Sequence, residues 1–196
     1  MSRLSVPIFP LNTVLFPGGL LPLRVFEARY MDMTRECLKH DKPFGVCLIQ
    51  EGKEVGDPAV PEAVGCLATI TEWDMQQPGV LNLKTRGGQR FRILGRETNT
   101  QGLISADIEM IPPDESVAVP EEFAVCAQLL QLVVADQGRS IFAEPHAFGD
   151  AAWVGYRLTD ILPVPLIAKQ KLLELTDSLG RLSVLQRFLE QRGLAR

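Results

Sequence analysis

An imidazole beside a hydroxyl or a thiol is a common way to build a nucleophile, and this chain has two histidines to offer, His40 and His146. His40 stands in Lys39-His40-Asp41, at the end of a predicted helix where a cation or polar cap suits the negative end of the dipole. His146 stands in Glu144-Pro145-His146, a loop signature, and no G-x-S-x-G elbow accompanies either residue. Both read as structural or surface side chains. Cys37, Cys47, Cys66 and Cys126 include no C-x-x-C pair, so they suggest buried, reduced thiols rather than a zinc set. The paired acids Asp114-Glu115 and Glu121-Glu122 are sequence neighbours, which do not face each other on a helix, and capping and solvation account for both. A P-loop needs G-x-x-x-x-G-K-[ST] and a dinucleotide fold needs G-x-G-x-x-G; Gly18-Gly19 and Gly87-Gly88 supply neither. The expectation is a protein that is not an enzyme and holds no metal or cofactor.

The most unusual charge feature is Lys84-Thr-Arg86-Gly-Gly-Gln-Arg90-Phe-Arg92-Ile-Leu-Gly-Arg96. Its basic residues fall on even positions, opposite in parity to Leu81, Leu83, Phe91 and Ile93, so a two-residue period places them on one face. Gly87-Gly88 between them predicts a tight hairpin. The resulting cationic face reads either as a solvated surface or as a patch for acidic protein or RNA. No aromatics interleave on it for base stacking, and a net charge of −4 with a pI near 5.3 gives no global field to collect nucleic acid.

These residues need elements to position them. Short β-rich runs cover Val6 to Phe9, Leu20 to Val25, Phe44 to Ile49, Val64 to Thr71, Val80 to Thr85, Arg90 to Leu94 and Leu103 to Met110, a spacing that fits an antiparallel sheet or barrel. One helix interrupts them, with Phe26, Tyr30, Met33 and Cys37 as its apolar stripe and an end near Lys39 to Asp41. After residue 120 the pattern turns helical. Pro120-Glu121-Glu122 starts a helix that stops at Gly138, Asp150 caps a second that breaks at Pro163-Val-Pro165, a short third carries Leu172 and Leu173, and Asp177 caps a last one that closes at Gly193. The proline- and acid-containing stretch 112–119 reads as a linker between a β-rich subdomain, 1–111, and a helical one, 120–196. With 46% apolar and 22% charged residues the composition is that of a globular chain. Prolines at 7, 10 and 17 break any signal-like run after Arg3, and the apolar stretch Leu129 to Ala135 falls far short of the roughly 20 residues of a membrane span, so a cytoplasmic protein without membrane contact is expected.

Val6-Pro-Ile-Phe-Pro-Leu11, Thr13-Val-Leu-Phe-Pro-Gly18 and Leu21-Pro-Leu-Arg-Val-Phe-Glu27 with Arg29-Tyr30 resemble the opening of the Lon N-terminal, or LON substrate-binding, domain family. Pro43-Phe-Gly-Val46, Val64-Gly-Cys-Leu-Ala-Thr-Ile70, Gly88-Gln-Arg-Phe-Arg-Ile93 and the late segment Leu162 to Glu174 continue the resemblance over nearly the whole chain. It implies an α+β fold: a PUA-like antiparallel β-barrel with one inserted helix, followed by a small helical bundle. It also implies a stand-alone, non-enzymatic module for unfolded or specific client proteins, an adaptor or holdase that acts with or without a Lon-type protease, because no ATPase or protease motif accompanies it. Phe9, Pro10, Leu11, Phe16, Pro17 and Gly18 are the candidate protein-binding residues; proline-fixed turns and core packing explain them equally. The basic run Lys84, Arg86, Arg90, Arg92 and Arg96 keeps RNA as an alternative partner, and a small ligand in the barrel is another. In the cereblon proteins, which carry a similar domain, the ligand pocket belongs to a separate zinc-binding domain whose cysteine pairs this chain lacks.

Overall fold

The computed structural model describes residues 4–194, and the chain divides into two compact units, Met1–Pro112 and Pro113–Arg196. The first unit contains β1 (Leu4–Leu11), β2 (Leu20–Val25), α1 (Ala28–His40), β3 (Phe44–Glu51), β4 (Val60–Pro61), β5 (Val64–Gln77), β6 (Val80–Thr98) and β7 (Ile104–Met110). Hydrogen-bonded neighbours run β1-β7-β6-β5-β3-β4, and a parallel pairing of β1 with β3, Ile8 opposite Gly45, closes the path into a ring. Closure removes the free edges that an open sheet would leave. Gly45 and Gly65 make it possible, since a Cβ on either would run into the Phe91 ring within 3 Å.

Two features depart from the sequence reading. Gly87-Gly88 is not a turn: β6 runs straight through it, and the β5–β6 turn is Pro78-Gly79, with Gly79 at φ +80°. Gly87 is there for close approach instead. Its N–H donates to the Gly19 carbonyl and its carbonyl accepts from Gly18, both at 2.8 Å, and an added Cβ would meet the Phe16 carbonyl oxygen at 2.1 Å. Phe26, assigned to the helix stripe, lies ahead of α1 and is exposed; Tyr30, Met33 and Cys37 alone carry the stripe into the core.

Beyond Ala68 the strand β5 leaves β3 and continues with β6 and β2 as a three-stranded extension, with bulges at Ile70/Glu72 and Asp74/Gln77. On one face Leu81, Leu83 and Val25 join Phe9, Tyr30, Phe44 and Val46 in the core; on the other, Glu72 bonds Lys84 and Asp74 bonds Asn82.

The second unit contains α2 (Ala124–Gln137), α3 (Ala151–Ile161), α4 (Leu166–Glu174) and α5 (Ser178–Gln191). The sequence signals act as expected: Asp150 accepts from the Trp153 N–H, Asp177 from the Leu179 N–H, and Gly138 and Gly193 end their helices at positive φ. Leu130, Val154, Leu158, Leu182 and Leu189 form the centre of its core. The stretch read as a linker is tied to this unit over much of its length. Val117 and Val119 bond the backbone of Ala151 and Gly149, Ser116 bonds Asp150, and Asp114 reaches the fully buried Arg181 at 2.7 Å. Backbone pairing that the proline pattern does not announce fixes this segment.

Candidate functional site

The N-terminal motif residues serve mainly as a base. Phe9, Pro10, Leu11 and Phe16 are buried, Phe16 completely, and Phe9 and Leu11 form part of the floor of a groove. Phe16-Pro17-Gly18-Gly19 is a β-turn: Pro17 fixes one φ, Gly18 takes φ +72°, and the Gly19 N–H closes on the Phe16 carbonyl at 2.9 Å. Phe9 stacks on Tyr30 at 3.9 Å between ring centroids, and burial pushes the Tyr30 hydroxyl pKa up.

Above Phe9, Leu11 and Tyr30 opens a groove of about 380 Å³, walled by Leu21, Leu23, Phe26 and Val55. Phe26 is 52% exposed and Val55 56%, so two large apolar side chains border the groove while remaining open to solvent. The wall bearing Val55 is fixed at two points. Glu54 accepts the Asn12 N–H, and Arg29 donates to the Gly56 carbonyl at 2.7 Å. Arg29 is itself buried, donates also to Glu27 at 3.0 Å and to the Gly102 carbonyl at 3.2 Å, and lies over the Tyr30 ring. On the other side of β2 lies a depression of about 520 Å³ lined by Pro22, Arg24, Trp73, Asp74 and Lys84, with Trp73 57% exposed and Met75 exposed beside it on β5. Sequence reasoning missed Leu23, Phe26, Val55 and Trp73. The strict alternation of β2, exposed at Leu20, Pro22 and Arg24 and less so at Leu21 and Leu23, was the signal available for the first.

The basic residues do not share one face. Lys84, Arg86, Arg92 and Arg96 are exposed, but Arg90 is 1% exposed, covered where the chain leaving β7 bonds back: the Ile111 N–H donates to the Arg90 carbonyl at 2.9 Å and Gln89 donates to the Ile111 carbonyl. A bulge between Cys66/Ala68 and Arg90/Gly87 also breaks the two-residue period on which the single face depended. Lys84 is paired with Glu72 at 2.7 Å, and that bond raises its pKa.

Neither a histidine nor a cysteine lines the groove. All four cysteines are buried and none forms a disulfide, and burial pushes Cys37 and Cys126 up to about 11 and Cys47 higher still, far from a reactive thiolate. His40 lies 3.3 Å from Glu36 on the surface of α1, and His146 packs among Phe142, Phe148 and Trp153. Asp160, pushed up to about 6 by burial against the opposing pull of Arg157 and Lys169, is held by Arg157 at 3.0 Å within the helical unit. Among the described residues no group of three or more His, Cys, Asp or Glu could hold a metal ion, and none of their helices is long and apolar enough to cross a membrane.

A closed strand ring with a grooved, apolar extension is followed in sequence by a four-helix unit, and this architecture is that of a known family of domains. The chain belongs to the ATP-dependent protease La (LON) substrate-binding domain family, whose model matches residues 5–191. It is similar to Lon protease 1 of Bdellovibrio bacteriovorus, 28% identical over 99% of this chain and 27% of that protein. It is also similar to the protein cereblon of Gallus gallus, 29% identical over 55% of this chain and 24% of that one. The chain thus spans about a quarter of the length of these relatives. Among solved structures, a Lon N-terminal domain protein from Xanthomonas campestris superimposes with a TM-score of 0.79 at 34% identity, covering 94% of this chain and 98% of that one. The N-terminal domain of the Mycobacterium avium complex Lon protease shares the fold, with a TM-score of 0.63 at 19% identity.

Proposed function

We propose that this chain is a polypeptide-binding module that holds exposed apolar segments of client proteins, acting as an adaptor or holdase with no chemistry of its own. The observation that carries the reading is the groove over Phe9 and Tyr30, whose rim side chains Phe26 and Val55 stay half exposed while the residues beneath them are packed. Apolar side chains grouped in this way are costly to leave in water and favour a partner that covers them. Membership of a substrate-binding domain family supports the same reading, and a Lon-type protease is the proposed downstream partner. Four buried thiols, none in a disulfide, fit a reducing, cytoplasmic setting. RNA is disfavoured, because Arg90 is buried and Lys84 is already paired.

Binding of reduced, carboxymethylated α-lactalbumin, a permanently unfolded protein, tests this. Phe26→Asp and Val55→Asp should each weaken capture by about tenfold, since truncating a central apolar anchor costs on the order of 1–2 kcal/mol. Retention of the unfolded protein at wild-type strength by both variants would remove the groove from the reading.

A further inference from the structure

The three-stranded extension has two outer edges, and the chain treats them differently. Gly87 directs both its N–H and its carbonyl to the β2 side. Backbone groups alternate sides along a strand, so Thr85, Leu83 and Leu81 also bond β2, through Leu21, Leu23 and Val25, while Arg86, Lys84 and Asn82 bond β5, through Thr69, Glu72 and Asp74. Leu20, Pro22 and Arg24 therefore direct their backbone outward from β2. There Pro22 deletes the central N–H, a familiar way to blunt an edge.

The β5 edge carries no such block. Its pairing with β3 ends at Ala68, and from Thr69 to Gln77 no second strand flanks it among the described residues. By the same alternation Trp73 presents its N–H and carbonyl outward, next to the exposed Met75, and the stretch contains neither proline nor lysine. The two acids of the stretch are turned to β6, Glu72 to Lys84 at 2.7 Å and Asp74 to Asn82 at 2.9 Å.

We infer that the Thr69–Gln77 edge receives an extended client segment as an additional strand, apolar side chains on the Trp73 face and basic ones opposite Glu72 and Asp74. The inference rests on the polypeptide-binding reading and specifies how the client is held: main-chain hydrogen bonds supply sequence-tolerant affinity, and Trp73 and Met75 supply anchors. A second copy of this chain is the poorer occupant. Antiparallel pairing of two such edges about Trp73 sets Glu72 against Asp74 twice, and like charges directly opposite repel.

The test uses the whole chain and a fluorescein-labelled peptide alternating Val and Lys, long enough to span Thr69–Gln77, with binding read by anisotropy. Two derivatives carry backbone N-methyl groups on alternate residues, one on each phase. A peptide held as a strand turns only one phase of N–H groups toward the protein, so one derivative should bind at least about tenfold more weakly and the other close to the parent. Met75→Pro, which removes an outward donor, should weaken the parent peptide more than Met75→Ala does, with both variants checked for an unchanged circular dichroism spectrum. Equal loss for the two derivatives overturns strand addition while leaving the polypeptide-binding reading intact, as does capture of unfolded α-lactalbumin without any binding of the peptide. Failure to bind either one removes the underlying reading itself. Dimerisation in sedimentation that the peptide does not reverse assigns the edge to a second copy and overturns the inference.

Discussion

The strand unit and the helical unit both enclose arginines and both leave apolar side chains in water, but they group them differently. The helical unit buries charge: Arg157 and Arg181 are almost fully enclosed, and Asp160 and Asp114 sit against them. The strand unit likewise encloses Arg29 and Arg90, and it groups its exposed Phe26, Val55, Trp73 and Met75 around one groove and one strand edge, whereas the exposed Leu132, Ile167 and Val184 of the helical unit come from three different helices. A carboxylate shifted as far as Asp160 often marks a functional site, yet here its partners are the neighbouring Arg157 and Lys169. Enclosed charge locks the helical bundle, as Arg181 does with Asp114, and the grouped apolar side chains of the strand unit are where a client is proposed to bind.

The contrast can be broken from either side. The largest effect belongs to Arg181→Ala, which leaves the buried Asp114 carboxylate without its guanidinium and frees the Leu172 and Leu175 carbonyls that Arg181 also binds. A loss of about 3–5 kcal/mol is expected in urea unfolding followed by far-UV circular dichroism. Next is Asp160. Its pKa in the folded chain is raised from 3.8 to about 6, so the folded state holds a proton that the unfolded state has lost in that interval. The stability this contributes is full below pH 3.8 and lost as pH rises through about 6, a change of up to about 3 kcal/mol. Asp160→Asn should flatten that slope; an unchanged slope between these limits would show that Asp160 is not its source. Gly87→Ala follows, with about 1–3 kcal/mol lost to overpacking against the Phe16 carbonyl, measured as a lower thermal midpoint. The smallest stability effect is expected of Phe26→Asp, within about 0.5 kcal/mol, even though it should have one of the largest effects on client capture. If Phe26→Asp instead unfolds the strand unit, the distinction between a packed base and an open rim is lost.

The helical half was readable because most of its boundaries are written locally, Asp150 and Asp177 as caps, Gly138 and Gly193 as stops; the exception is Pro120-Glu121-Glu122, which opens a 3-10 turn ahead of an α-helix that begins only at Ala124. The strand half was readable as segments but not as a register. Gly87-Gly88 looks like a turn in one dimension, and only the approach of Phe16 and Gly19, distant in sequence, shows that it is a crowded strand. The same difficulty hid the candidate site. Phe9 and Phe16 stand out because they belong to a compact motif, but such a motif is compact for the sake of its turn, whereas Phe26, Val55 and Trp73 come from three separate segments that share a neighbourhood only after the sheet has formed. Arg90 likewise has the parity of a surface residue and is covered by a segment, Ile111-Pro112, whose path no periodicity reveals.

Arg29 joins the Glu27 carboxylate, the Gly56 carbonyl and the Gly102 carbonyl through one guanidinium. Gly102 is at φ +84°, where a side chain is strained, and a Cβ there would sit 2.8 Å from an Arg29 nitrogen and push the guanidinium aside. The loop that walls the groove and the loop that joins β6 to β7 are consequently not free to diverge independently. Across the descendants of this sequence, loss of Arg29 should be accompanied by remodelling of both loops.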